Sequence, residues 1–176
     1  MRVITLLTDF GNGDYFVASM KGVILSINPN AVIVDVTHDV PSFNIRRAAF
    51  ILWATYRYFP RGSVHVAVVD PGVGTGRRAI AVMSRNYYFI GPDNGVLTMA
   101  AEDDGIVEVR EISNRRVMLS DVSSTFHGRD IFAPAAANIG LVDFRDYGPL
   151  VSDYVKLTMP KPIERNGVIE AQVVYV

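Results

Sequence analysis

The stretch VHVAVVDPGVGTGRR, residues 64–78, constrains the fold of this chain more than any other. Its first six residues are apolar or small apart from His65. Such a run predicts a strand buried on both faces, the kind found inside parallel sheets. Pro71 has no N–H to offer a sheet ladder, so the strand is expected to stop at Asp70. Gly72, Gly74 and Gly76 follow, and Arg77 and Arg78 close the loop before a second apolar run, Ala79 to Met83. Glycines in such a loop permit torsions and close approaches that a side chain forbids. An acid at the carboxyl end of a buried strand, beside a loop able to touch a ligand, is where open α/β sheets place their sites. A solvated turn carrying two surface arginines is the competing reading of this stretch taken alone.

The preceding segments fit a sheet around that strand. Val3 to Leu7 predicts a first strand, and Asp14 the cap of a helix to about Ile27, stopped by Asn28-Pro29-Asn30. Ala31 to Val36 predicts a second short buried strand; Asn44 then caps a helix from Ile45 to Phe59. A β-α-β-α-β order argues for a mostly parallel sheet flanked by helices, an α/β fold. Beyond the glycine loop, Ala79–Ser84 and Tyr87–Ile90 read as a hairpin, followed by a short helix from Val96 to about Glu102. Ile106–Ile112 alternates as a strand with one wet face. Ile131–Ile139 reads as a small-residue helix closed by Gly140. Val155–Thr158 is a candidate strand, with Pro160 and Pro162 marking a linker.

The last ten residues, GVIEAQVVYV, read as a fresh strand with no turn, cap or charged tail. A strand left so is a pairing liability that proteins usually blunt. The expectation is therefore an α/β domain over residues 1–160, with 161–176 as linker and first strand of a truncated C-terminal β domain.

Composition narrows the chemistry. With 176 residues and a net charge of −1, the chain lacks the basic excess that favours nucleic acid or anionic membranes. It has no cysteine, which excludes disulfides and thiolate metal sites. The most apolar helix candidate contains Arg46, Arg47 and Arg57, so it does not read as a membrane span. The N-terminus lacks a small-residue cleavage site, and a cytoplasmic protein is the default.

Polar groups gather at the predicted strand ends: Asp9, His38-Asp39, Asp70, Asp93-Asn94 and His127. In a parallel sheet those ends share one edge, which favours a functional reading of Asp9, Asp70 and His127. His65 sits inside a strand and reads as a core histidine, while His38 is evenly balanced between the two. Phe10, Phe43 and Phe126 lie beside these turns, where a ring face can stack on a flat ligand. The loop GVGTGRR lacks the Gly-Lys-Ser/Thr ending of a P-loop, DFGNGDY is no dinucleotide fingerprint, and no serine stands in a nucleophile elbow. The three histidines lack the paired spacings of zinc sites.

Five ordered segments, LTDFG, VDVTH, VVDPGVGT with Arg77 following, GPDNG, and STFHGRDIFAPAAA, together resemble one family. It is the family of adenosine-forming S-adenosylmethionine hydrolases, or hydroxide adenosyltransferases, related to SAM-dependent fluorinases and chlorinases. The resemblance implies a Rossmann-like domain followed by a small β domain, assembled as homotrimers. Adenosylmethionine would be substrate rather than cofactor, lying between the first domain of one subunit and the second domain of its neighbour, with no metal. The family's Asp-Arg-His trio falls on Asp70, Arg77 and His127, and Asp9 matches the carboxylate that holds the ribose hydroxyls. Phe10, Phe43, Pro71, Gly72, Val73, Gly74, Asp93, Asn94, Phe126 and Gly128 complete the implied substrate-binding set. The family's adenine-clasping Asp-x-Phe-Gly-Asn segment has no counterpart before Val176. Halogenating relatives carry other residues at positions 70 and 127, and fluorinases an insertion where only Ser84-Arg85-Asn86 stands here. Water is thus the nucleophile the resemblance implies, with halide as the alternative and a non-catalytic adenosine-binding module as a third reading. On ordinary values, an imidazole near 6.5 is a better base than a carboxylate near about 3.9, which favours His127 over Asp70 as proton acceptor.

Overall fold

Side chains alternating between the two faces of the first strands dictate the layers. In the computed structural model, which describes residues 2–173, β1 (Arg2–Thr8) and β3 (Val64–Val68) lie side by side in parallel. Ile4, Leu6, Val64, Val66 and Val68 face one way, against α1 (Phe16–Ile27) and α4 (Ala133–Asn138). Leu7, Ala67 and Val69 face the other, against α2 (Ile45–Thr55) and α3 (Thr98–Asp104). All five residues of β3 are buried, as a strand covered on both faces requires.

The remaining strands are β2 (Ala31–Thr37), β4 (Ala79–Ser84), β5 (Tyr88–Pro92) and β6 (Ile106–Glu111). The sheet order is β2-β1-β3-β5-β4-β6, parallel from β2 through β5, with β4 antiparallel to both its neighbours. The chain leaves β1 first for β2 on one side and then for β3 on the other. Sheets of this type bind ligands at such a reversal, beyond the carboxyl ends of the two strands. A separate two-stranded antiparallel sheet pairs β7 (Ile163–Arg165) with β8 (Val168–Glu170). No helix among the described residues is long and apolar enough to cross a membrane.

Several local expectations change. β3 ends at Val68 rather than Asp70, because the Asp70 carbonyl already accepts from Val73 N–H in the loop. β2 is an edge strand and only half-buried. Asp14 does not cap α1: its carboxylate accepts from the adjacent Tyr15 N–H, and Tyr15 holds the cap position without a side-chain bond. Asn44 does cap α2, accepting from Arg47 N–H at 3.0 Å, but the α-helix ends at Thr55 and a 3₁₀ turn completes it. Val155–Thr158 forms no strand, since the N–H groups of Val155 and Leu157 donate to the side chains of Asp93 and Thr98. The residues after Pro162 are not linker but β7, joined to β8 by Asn166-Gly167, both at positive φ. Asn-Gly with that geometry is the strongest short hairpin signal. Positions 174–176 of the expected last strand lie outside the described residues.

His65 is in the core, as expected, but only half satisfied. Its Nδ1 shares a 2.8 Å hydrogen bond with Thr5 Oγ1 across β1–β3, while buried Nε2 has no partner among the described residues. Tyr56, Phe59, Tyr87 and Phe89 surround the ring. Burial therefore pushes its pKa down from 6.5 to about 4, with Asp104 opposing weakly. The unfolded chain takes up this proton at a higher pH than the folded one, so stability falls as pH drops from 6.5 towards 4. Urea titrations across that window should show a loss on the order of 3 kcal/mol that His65→Gln removes. Equal pH slopes for both proteins would contradict this.

Candidate active site

The carboxyl ends of β1 and β3 open into a cleft of about 330 Å³, lined by Asp9, Phe10, Phe16, Ser42, Phe43, Val68, Asp70, Val73, Thr125, Phe126, His127 and Gly128. This volume falls in the range of small-molecule sites. One wall is aromatic: Phe10, Phe16 and Phe126 meet edge-on or tilted, with centroids 4.9–6.0 Å apart.

Asp70 and His127 are joined by Arg77. The guanidinium donates from Nε to Asp70 Oδ1 at 3.2 Å and from Nη2 to Oδ2, in a two-pronged pair whose side chains are 9% and 6% exposed. The same Nη2 lies 3.1 Å from His127 Nδ1. A guanidinium only donates, so Nδ1 must be the acceptor, and the neutral ring carries its proton on Nε2. Burial, then the nearby Arg77 cation, lower the His127 pKa below 6.5; the carboxylates of Asp70 and Asp130 and a backbone bond with Ser123 act in the opposite direction. The ring is therefore neutral at neutral pH.

The loops carrying these groups brace each other. Gly72 N–H donates to Asp70 Oδ1 at 3.2 Å, tying the glycine loop to the strand end. Gly74 has φ +76°, and a Cβ there would stand 2.2 Å from the carbonyl oxygen of Ser124. Only glycine brings the two loops this close. His127 begins a π-helical turn, Gly128–Phe132, which runs into α4; Gly140 follows at φ +83°. The expected helix from Ile131 thus starts earlier, in the wider turn often found at functional sites.

On the opposite wall, Asp9 Oδ2 accepts from Phe43 N–H at 2.8 Å. Phe43 holds φ 63° and the residue is 64% exposed. A bulky residue at positive φ is strained, and strain of this kind concentrates at ligand sites.

Not every expected site residue meets the cleft. Pro71, Gly72 and Gly74 shape the loop behind Val73 rather than the lining. Asp93 is buried against Arg78 and Val155 N–H, away from the cleft. Asn94 clamps Val69 O and lines an adjoining hollow that shares Ser42 and Phe43 with the main cleft. His38 is a structural group: Nδ1 bonds Thr8 Oγ1 at 2.8 Å, and Nε2 lies 3.1 Å from the Asp35 carboxylate, off the line of a hydrogen bond. Phe16, Ser42 and Thr125 were absent from the expected set, as was Asp130 behind the His127 loop. Among the described residues, no three His, Asp or Glu side chains cluster to hold a metal ion.

Residues 4–144 match the family described as SAM hydroxide adenosyltransferase N-terminal domain. The chain is 46% identical over 164 residues to the (R)-S-adenosyl-L-methionine hydrolase of Salinispora tropica, covering 92% of this chain and 62% of that protein. To a fluorinase of an Actinoplanes species it is 29% identical over 191 aligned positions, covering 94% of this chain and 64% of the fluorinase. That alignment is longer than this chain, so the fluorinase carries inserted residues. A crystal structure of an uncharacterised conserved protein from Thermotoga maritima superposes with a TM-score of 0.87 at 44% identity, over 92% of this chain and 63% of that one. The chain thus spans roughly three-fifths of the length of these relatives.

Gly74→Ala tests the bracing of the two loops. Positive φ and the clash with Ser124 should destabilise the protein by about 1–3 kcal/mol, with amide exchange rising at residues 123–128 as well as in the glycine loop. Faster exchange confined to residues 72–76 would contradict the coupling.

Proposed function

This chain belongs to the SAM hydroxide adenosyltransferase family, and from that membership we propose that it hydrolyses S-adenosylmethionine to adenosine and methionine. The observation that carries the proposal is the Asp70–Arg77–His127 constellation at the mouth of β3, opposite Asp9 and beside an aromatic wall. In this reading Asp9 holds the ribose hydroxyls. Phe10, Phe43 and Phe126 offer apolar surface to the nucleoside and to the departing thioether.

The reaction is an in-line displacement at the ribose C5′. A water oxygen forms the new bond, the C–S electron pair returns to sulfur, and neutral methionine thioether leaves without needing a proton. The task left to the protein is to hold the water behind C5′ and receive one proton from it. Orientation of this kind supplies up to about 7–11 kcal/mol in favourable cases. His127 Nδ1 is engaged by Arg77, so its remaining ring group is an N–H donor that orients the water rather than a base. Asp70 keeps a lone pair on Oδ2 beyond its bonds to Arg77, which makes it the better proton acceptor. This reverses the preference drawn from ordinary pKa values.

Halide as nucleophile is the second reading, and lower identity to the fluorinase weighs against it. So does the short turn between β4 and β5, closed by Ser84 N–H donating to Tyr87 O at 3.0 Å, where the resemblance places the fluorinases' insertion. The same proposal includes a division near residue 160 into an α/β domain and the start of a β domain. It also includes a cytoplasmic homotrimeric setting and operation without a cofactor.

Protein expressed from its complete reading frame should release adenosine and methionine in equal amounts from adenosylmethionine. No 5′-halo-adenosine should form when chloride or fluoride is added; its formation would favour the halogenase reading, and tight binding without turnover a binding module. His127→Ala should lower kcat about a hundredfold with little change in KM, because the water rather than the nucleoside loses its partner. Activity should fall with acid through a midpoint below 6.5, since protonation of Nδ1 expels the Arg77 donor. An equal effect on kcat and KM would contradict this role.

A further inference from the structure

Behind the His127 loop lies a carboxylate that the proposed reaction does not use. Asp130 is fully buried at the start of the α4 region. Its Oδ2 accepts from Ser123 N–H at 2.9 Å and from Ser123 Oγ at 2.7 Å, and its Oδ1 accepts from Arg129 Nε at 2.6 Å. Burial acts to raise its pKa, but the bonds from Arg129 and Ser123 outweigh that and hold the carboxyl below the usual range. Asp130 is therefore an anion at neutral pH. Ser123 Oγ in turn accepts from Phe126 N–H at 3.0 Å, while Asp130 N–H donates to Phe126 O at 3.1 Å. The turn 123–127 is thus closed on the carboxylate from both ends.

We propose that Asp130, acting through Ser123, is a positioning residue that holds the His127 imidazole where Arg77 can donate to its Nδ1. This rests on the reading of Asp70, Arg77 and His127 as the catalytic group. A neutral side chain would suffice to close a turn. A buried charge is costly unless fully bonded, and it adds a field that a turn does not need. That field acts on His127 in the sense opposite to Arg77. Arg77 reaches the ring at Nδ1, and the turn that leads directly into His127 is the one Asp130 clamps through Ser123. The clamp and the cation together select one tautomer and one ring orientation.

The experiment reads the ring directly. In ¹⁵N-labelled protein from the complete reading frame, the His127 nitrogens should report a protonated Nε2 and an unprotonated Nδ1 at neutral pH, titrating below 6.5. Asp130→Asn should mix the tautomers and move the midpoint lower still, because a nearby negative charge that favoured the imidazolium is gone. Ser123→Ala should mix the tautomers with the carboxylate retained, and Ser123→Thr, which keeps the hydroxyl, should restore them. Turnover should follow, with kcat down about tenfold or more in Asp130→Asn and Ser123→Ala and KM within about twofold. Unchanged tautomer and midpoint in either folded variant would overturn the proposal, as would a loss in KM alone. Should Asp130→Asn fail to fold, Ser123→Ala and Ser123→Thr decide. If the wild-type protein releases no adenosine while the ring signals shift as expected, the reaction assigned above fails and the positioning role stands.

Discussion

The forked contact of Arg77 is the interaction on which the site depends. One guanidinium reaches Asp70, seven residues earlier, and His127, fifty residues later, and donates from Nη1 to the Arg78 carbonyl besides. Its plane lies over the Phe132 ring at 5.5 Å, so the π-helical turn after His127 forms part of its seat. A lysine carries the same charge but lacks the rigid fork that meets a carboxylate with two donors while spending part of one on an imidazole. Without this bridge, the buried Asp70 carboxylate would lose both of its guanidinium donors, and burial of a charge is unfavourable unless it is paired and bonded.

The sheet makes the bridge possible by bringing the ends of β1 and β3 side by side at the reversal of strand order. Leu7↔Ala67 and Thr8↔Val68 are the last register pairs, and Asp9 and Asp70 leave the sheet just beyond them. Two carboxylates emerging so close need separate partners. Asp70 takes Arg77, whereas Asp9 takes the N–H of Phe43, whose positive φ is the local cost of offering it. The contrast leaves Asp9 open to hydroxyl groups of a ligand and Asp70 committed to a cation, two roles set by environment rather than by residue type.

Much of this was readable beforehand, for identifiable reasons. The unbroken apolar run 64–69 has few solutions other than a strand covered on both faces, and its proline and glycines mark the loop. Strand-end acids were legible because polar residues at the edge of an apolar run have to face something other than core. The boundaries near Asp14, Asp70 and Ile131 shifted by a few residues, because caps and first turns are decided by local hydrogen bonds that several neighbours can supply. Asn166-Gly167 carried a hairpin signal that the prolines around it concealed. Asp130 carried a weaker one: an acid at the head of IFAPAAA has nowhere to be but the core, and so must have partners. Asp93, by contrast, stands at a predicted strand end like Asp9 and Asp70, yet closes an ion pair with Arg78 at 2.8 Å.

The amino-acid order by itself determined the strands and helices of the six-stranded sheet and its two layers and which polar groups stand at strand ends, because periodicity and turn chemistry act over a few residues. Tertiary structure alone decided which of those groups meet. Arg77 rather than Arg78 faces His127, Nδ1 rather than Nε2 accepts, and Ser123 closes on Asp130, each through contacts between segments distant in sequence. A hydrogen bond requires placement to a few tenths of an ångström, and only the packed sheet with its two helical layers defines positions that finely.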